Sequence, residues 1–154
     1  MAGSDLEYMQ MALKEARAAG EAGEVPVGAV VVLEDRVVAR ASNRTIAEGD
    51  PTAHAEMLAL RAAAKSIGNY RLGGPQGGAA LYVTLEPCSM CAGAMIQARI
   101  ARLIYGCDDP KGGAVRTLFG ILDHPKLNHR VEVISGVLTE ECAAPLHAFF
   151  AARR

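Results

Sequence analysis

Two short clusters in this 154-residue chain carry side chains able to do chemistry: His54-Ala55-Glu56 and Pro87-Cys88-Ser89-Met90-Cys91. Cys88 and Cys91 are three positions apart, so a helix starting there puts both thiols on one face. The positive end of that helix favours thiolates. Alone, such a pair either holds a metal or runs thiol–disulfide exchange, and the spacing does not choose between them. His54 supplies a third donor. One imidazole and two thiolates match a catalytic zinc that keeps its fourth position open. Zinc brings the pKa of a water there down toward about 7, and Glu56 is suited to move protons beside it. Cys107 and Cys142 lack a partner spacing and are not forced into the shell. The opposing expectation is a core histidine with two inert thiols, and it must account for three coincidences at once.

The spacing imposes a geometric condition. Residues two apart in a helix point to nearly opposite sides. His54 and Glu56 can share a metal only if it lies off the helix end, in a cleft closed by a second element. The start of the Cys88 helix is the natural second element.

The surrounding elements follow from periodicity and punctuation. Leu6, Met9, Leu13 and Ala16 recur at helical spacing, which predicts a helix over Asp5 to Ala22 capped by Ser4. Val27 to Leu33 and Arg36 to Ala41 read as strands joined by a tight turn at Glu34-Asp35. Thr45 to Pro51 reads as a polar loop, and Thr52 as the cap of a helix from Ala53 to Ser66. Gly73 to Gly78 reads as a flexible connection. Ala79 to Leu85 is a central strand, Cys88 to Ala98 a helix with Pro87 near its first turn, and Ile100 to Gly106 a strand parallel to the former. Asp108 to Gly113 is a loop, and Val115 to Leu122 reads as a short helix. Val131 to Ile134 is the last strand. Thr139 to Ala152 closes the chain as a helix with Leu146, Phe149 and Phe150 on its apolar side. Interleaved strands and helices in this number mean an α/β domain over residues 1–154, with one mixed sheet covered on both faces. Strand ends that precede helix starts put the site at the carboxyl edge of that sheet.

Composition narrows the function classes. Hydrophobic residues make up 51% and charged residues 21%, which is a globular rather than disordered balance. Four cysteines in such a chain are not a disulfide scaffold. No leader is expected from Met1 to Leu6, and no apolar run nears the roughly 20 residues of a membrane span. The expectation is a cytoplasmic protein with reduced thiols. The formal net charge of -1 excludes a protein that coats nucleic acid. That average hides an asymmetry. Met1 to Pro87 holds 8 basic and 11 acidic side chains, whereas Cys88 to Arg154 holds 8 basic and 6 acidic.

The joint pattern of His54, Glu56, Pro87, Cys88 and Cys91 resembles the signature of zinc nucleobase deaminases. Beyond it, nearly the whole chain resembles the bacterial tRNA-specific adenosine deaminases. The likeness is carried by Gly23 to Val30, Asn43-Arg44, Asp50 to Glu56, Leu81 to Cys88, Cys91 to Ile96 and Asp109-Pro110-Lys111. It continues through Asn128 to Val133 and from Glu141 to the Phe149-Phe150-Ala151-Ala152-Arg153-Arg154 ending. The zinc motif points only to the superfamily. Asn128 to Val133 and the ending point to the tRNA enzymes.

This resemblance implies a three-layer α/β/α cytidine-deaminase-like fold with a central mixed five-stranded sheet. It implies a homodimer with one Zn2+ per subunit, held by His54, Cys88 and Cys91. The implied reaction converts the wobble adenosine of a tRNA anticodon loop to inosine, by zinc-activated hydroxide attack on C6 with Glu56 as proton shuttle. Backbone around Val27 and Ala55 would line the base pocket, and the Asn43 amide would read the purine edge. From loop composition alone, the alternative for Asn43 is an ordinary turn residue. Asp109 and Lys111 would lie beside the flanking nucleotides, with Phe150 and Arg153 helping to hold the loop. Phe149 and Phe150 diverge by about 100°, so one belongs to the core and the other to the RNA, and the order stays open. Thr45 departs from the proline common in the family, and the loop from Gly112 to Arg116 is variable. A free-base guanine or cytosine deaminase would share every zinc-site residue without needing Lys111 or the arginine-rich ending.

Overall fold

The computed structural model describes residues 3–74 and 77–153. Pro75 and Gln76 of the expected glycine-rich connection, and the terminal Arg154, lie outside them. The first helix, α1 (Asp5–Glu21), starts where Ser4 accepts the Glu7 backbone N–H at 3.1 Å, as its cap position predicts. Its buried face carries Met9, Ala12, Leu13 and Ala16.

Strands β1 (Gly28–Leu33) and β2 (Arg36–Ser42) form the expected hairpin. Both turn residues, Glu34 and Asp35, take the left-handed conformation, with φ of 52° and 60°, as a two-residue turn of matching twist requires. The next stretch departs from expectation. Thr45–Glu48 is a one-turn helix, α2, rather than plain loop. The helix α3 runs Ala55–Ile67, so Thr52 is not its cap. Thr52 instead bonds to Asp50 Oδ1 through its backbone N–H (2.8 Å) and its hydroxyl (2.7 Å). His54 occupies the cap position with extended backbone.

After α3 come β3 (Ala80–Leu85), α4 (Ser89–Ala98), β4 (Arg102–Cys107), β5 (Glu132–Ile134) and α5 (Thr139–Ala151). The expected helix over Val115 to Leu122 is absent. That segment is turns, ending in a 3-10 turn at Ile121–Asp123. Its first N–H groups are taken by a distant carboxylate, described below, and the next two, of Leu118 and Phe119, both return to the Gly113 carbonyl (3.0 and 3.3 Å) instead of forming a helical ladder.

The five strands form one mixed sheet in the order β2-β1-β3-β4-β5. β1 is antiparallel to β2 and β3, whereas β3, β4 and β5 are parallel. Helices α1 and α5 pack on each other, as do α3 and α4, and the two pairs do not touch among the described residues. The sheet therefore separates two helical layers, which explains why β1, β3 and β4 are buried along nearly their whole length. Gly28 lets α1 approach β1 closely. A Cβ there would collide with the Ala12 carbonyl and sit 2.5 Å from the Ala16 nitrogen. No helix among the described residues is long and apolar enough to cross a membrane.

Because β1 runs against its neighbours, the carboxyl ends of β2, β3 and β4 share one edge with the start of β1. Asn43, the Glu86 to Cys88 segment, Asp108-Asp109 and Val27 therefore all meet at that edge.

Candidate active site

Two helix starts face each other at this edge. His54 caps α3 and Cys88 caps α4, both with extended backbone and neither with a side-chain capping bond. This satisfies the geometric condition set by His54 and Glu56. His54 lies just outside the helix and is free to aim away from its axis, while Glu56 belongs to the first turn. The His54 Nδ1 lies 3.6 Å from the Cys88 Sγ and 3.6 Å from the Cys91 Sγ. The three donor atoms all lie within 4.8 Å of one another. Zinc bound tetrahedrally at ordinary Zn–N and Zn–S distances separates its N and S ligands by about 3.6 Å. The donor set and its spacing thus fit zinc.

Electrostatics around the cluster are strongly perturbed. A hydrogen bond from Cys91 brings the Cys88 thiol down to about 3, burial opposes this, and His54 adds to it. Its partner in that bond, Cys91, is pushed up, and burial adds to the shift. A metal held by these sulfurs would require both as thiolates, so binding it would release protons. His54 is raised, chiefly by its bond to Cys88. Glu56 is only 4% exposed. Burial pushes its carboxyl up to about 7, against its own backbone N–H and the nearby His54. A carboxyl poised there can both take and give a proton at neutral pH.

Val27, Asn43 and Ala55, expected beside the base, are all buried near His54. The backbone N–H of Asn43 donates to the Val27 carbonyl at 3.1 Å, and that of Arg44 to the Ala53 carbonyl at 3.0 Å. These bonds join the end of β2 to both Val27 and the approach to His54. Asn43 is 7% exposed and Ala55 is fully buried.

The outer residues divide. Asp109 and Lys111 lie on the loop after β4, with Lys111 exposed. The Asp109 Oδ1 accepts the backbone N–H of Lys111 (3.0 Å) and of Gly112 (3.1 Å), so it also shapes the loop. On α5, Leu146 is buried and Phe149 half-buried, but Phe150 is 48% exposed. Phe150 therefore leaves the apolar side on which the sequence placed it. The 100° step per residue rotates it outward once Leu146 and Phe149 face in. The Arg153 guanidinium stacks 3.4 Å over the Phe149 ring. Both line a groove of about 390 Å³ with Arg17, Glu21 and Pro26, beside Val27 in sequence but without any of the three metal-ligand candidates.

Comparison with known proteins shows the family. The MafB19-like deaminase family matches residues 3–154. The tRNA-specific adenosine deaminase of Bacillus subtilis is 50% identical over 93% of this chain and 86% of its own length. That of Agrobacterium fabrum is 50% identical over 96% of this chain and 94% of its own. The chain belongs to the tRNA-specific adenosine deaminase family. Among solved structures, one from work on A-to-I editing by tRNA:A34 deaminases superposes with a TM-score of 0.85 at 51% identity, covering 91% of this chain and 99% of that one. A guanine deaminase from Nitrosomonas europaea superposes with a TM-score of 0.80 at 25% identity, over 98% of this chain and 86% of that one.

Two acidic residues of this family member escaped the sequence reading. Glu24 is 3% exposed and accepts the backbone N–H groups of Ile46 (3.1 Å) and Ala47 (2.7 Å). It thereby builds α2 beside Asn43. Glu86 is 2% exposed and receives the loop after β4. Burial would raise its carboxyl, yet the N–H groups of Arg116, Asp109, Thr117 and Val115 outweigh burial and hold it below the usual range. The available signal was a lone carboxylate in the otherwise uncharged run Thr84-Leu85-Glu86-Pro87-Cys88, since a buried charge needs a full set of partners.

Proposed function

We propose that the protein hydrolytically deaminates the wobble adenosine, A34, of a tRNA anticodon loop to inosine. The observation that carries this reading is the convergence of His54, Cys88 and Cys91 beside the buried Glu56, in a chain half identical to tRNA-specific adenosine deaminases. His54 Nδ1 and the two Sγ atoms would hold one Zn2+ per subunit and leave one position open. Zinc in such a site supplies the Lewis acidity that makes water nucleophilic near neutral pH.

The chain's own residues do the rest. Glu56 takes a proton from the attacking water and delivers it to N1 of the adenine as the oxygen adds to C6. It then takes the proton of the new C6 hydroxyl and passes it to the amine, the C6–N bond breaks as the C6 carbonyl forms, and ammonia leaves with inosine as product. Burial suits Glu56 to this exchange, because a carboxyl near neutrality gives and takes protons at comparable cost. The backbone around Val27 and Ala55 lines the base and excludes water. Asn43 presents its amide to the purine edge.

An anticodon loop is single-stranded, so turning the base out of its stack costs less than in a duplex. Asp109 and Lys111 on one side, and Phe150 on α5 with Arg153 just beyond its end, hold the flanking nucleotides. The net positive carboxyl half supplies the phosphate contacts. The working unit is a homodimer of single deaminase domains in the cytoplasm.

The deciding experiment compares an anticodon stem-loop RNA bearing A34 with free guanine and cytosine. Inosine in the RNA, and no release of ammonia from the free bases, is the expected result. Turnover of guanine with the RNA left intact would overturn the reading in favour of the free-base deaminases that share this fold.

A further inference from the structure

The carboxylate of Glu86 has an unusually complete set of partners, all from one segment. Its Oε1 accepts the Asp109 N–H at 3.0 Å and the Thr117 hydroxyl at 3.1 Å. Its Oε2 accepts the N–H groups of Val115 (3.1 Å), Arg116 (2.8 Å) and Thr117 (3.1 Å). That single Thr117 hydroxyl proton is shared with the Asp109 carbonyl, the nearer acceptor at 2.7 Å, which closes the loop on itself. On the other side, Glu86 is tied to the metal cluster by chain continuity through Pro87 to Cys88. The Pro87 carbonyl accepts the Ala114 N–H at 2.9 Å, and the Glu86 N–H donates to the Cys107 carbonyl at 2.9 Å.

No space is left for alternatives. A Cβ on Gly113 would run into the Glu86 carboxyl and the Thr117 hydroxyl. The loop that is clasped this way presents Lys111, Arg116, Leu118 and Phe119 to solvent. Phe119 is 59% exposed and Leu118 is 51% exposed. Two cations beside two apolar side chains suit phosphates and base faces together.

We propose that Glu86 is a positioning residue for substrate: it fixes the 108–117 loop, and the Leu118-Phe119 pair that follows, in register with the Cys88 end of the site. The proposal rests on the RNA-deaminating reading above. Glu86 does not touch the reacting atoms. It acts through the loop, so its removal raises the RNA concentration needed and leaves the chemical step at saturation nearly intact. Gln keeps the shape of Glu86 but turns an NH2 toward donors that need an acceptor.

The test uses the full chain with its metal, as wild type, Glu86→Gln, Lys111→Ala and the double variant. Stem-loop RNA binding and single-turnover inosine formation are measured, with zinc content recorded for each. Glu86→Gln should retain its zinc, bind the RNA about tenfold more weakly and keep its saturated single-turnover rate within about threefold. Adding Lys111→Ala to Glu86→Gln should cost much less than Lys111→Ala costs alone, because the loop is already displaced. Strictly multiplicative losses, unchanged RNA binding, or loss of zinc would each overturn the proposal. If Glu86→Gln does not fold, Thr117→Val and Thr117→Ser replace it. The valine should weaken RNA binding and the serine should restore it, and equal behaviour of the two would count against the clasp. A wild-type chain that binds the RNA without forming inosine sinks the deamination reading but leaves the binding cycle decisive for Glu86.

Discussion

His54 and Cys88 are separated by 34 residues in sequence, yet each caps a helix in extended conformation, and the imidazole Nδ1 stands 3.6 Å from the thiol sulfur. A metal held by both residues would tie α3 to α4 as well as supply chemistry. Purified protein should therefore carry one zinc per chain by metal analysis. Cys88→Ser or His54→Ala should lose it and melt at lower temperature, since a ligand bound only by the folded state stabilises that state. A variant that loses all metal with an unchanged melting temperature would contradict the bridging role.

Glu56 is buried beside that cluster and sits on the first turn of α3. Glu56→Ala should lower inosine formation by about 10²–10⁴ while zinc content and RNA affinity stay at wild-type levels. A loss of affinity equal to the loss of rate would assign Glu56 to binding instead.

Lys111 and Arg153 are both exposed cations, but only Arg153 is stacked on a ring and bonded to its own helix, donating to the Phe149 carbonyl at 3.0 Å. Replacing either by Ala should reduce the slope of log affinity against log salt by about 0.7 for each phosphate that the cation neutralises. Arg153→Ala should also lower stability slightly by removing the stacking, by about 0.5–1 kcal/mol. An unchanged salt slope in both variants would remove these residues from the RNA surface.

At the opposite edge of the sheet, Asp5 accepts the Tyr82 hydroxyl at 2.6 Å and pairs with Arg102 at 2.9 Å. Burial works to raise the Asp5 carboxyl, but the Tyr82 and Arg102 bonds outweigh it and leave it below its ordinary 3.8. A depressed carboxyl contributes stability above its unfolded pKa and loses it as pH falls through the folded one. Asp5→Asn should therefore cost stability at pH 7, by no more than about 1 kcal/mol after solvent screening. The gap to wild type should close below the ordinary carboxylate range. A difference in melting temperature that does not change with pH would refute the linkage.

Gly28 is held where α1 touches β1, with its N–H on the Thr84 hydroxyl at 3.2 Å. Gly28→Ala must push the helix off the strand, and should cost about 1–3 kcal/mol in urea unfolding. An unaltered midpoint would mean that the two elements can part freely.

Local signals made much of this legible. The two motifs picked out the candidate ligands and Glu56, which the fold brings together, because residue type and spacing are properties of the chain itself. Buried apolar runs located β1, β3 and β4, and Ser4 and the Glu34-Asp35 turn were readable because their partners lie within three or four residues. The condition that His54 and Glu56 meet a metal off a helix end also came from helical geometry alone.

What the sequence by itself determined was thus which side chains could carry chemistry, the α/β class and the edge of the sheet where those side chains gather. Tertiary structure decided what depends on distant partners. The one-turn helix at Thr45–Glu48 exists with Glu24 receiving its N–H groups from more than twenty residues away. The segment after Gly113 is turns instead of helix, with Glu86 accepting the N–H groups of Val115, Arg116 and Thr117. Phe150 faces outward and Phe149 inward because only the packing of α5 on its neighbours chooses between adjacent residues. A buried carboxylate must find donors wherever the fold brings them, and periodicity reports only on a residue's own turn or strand.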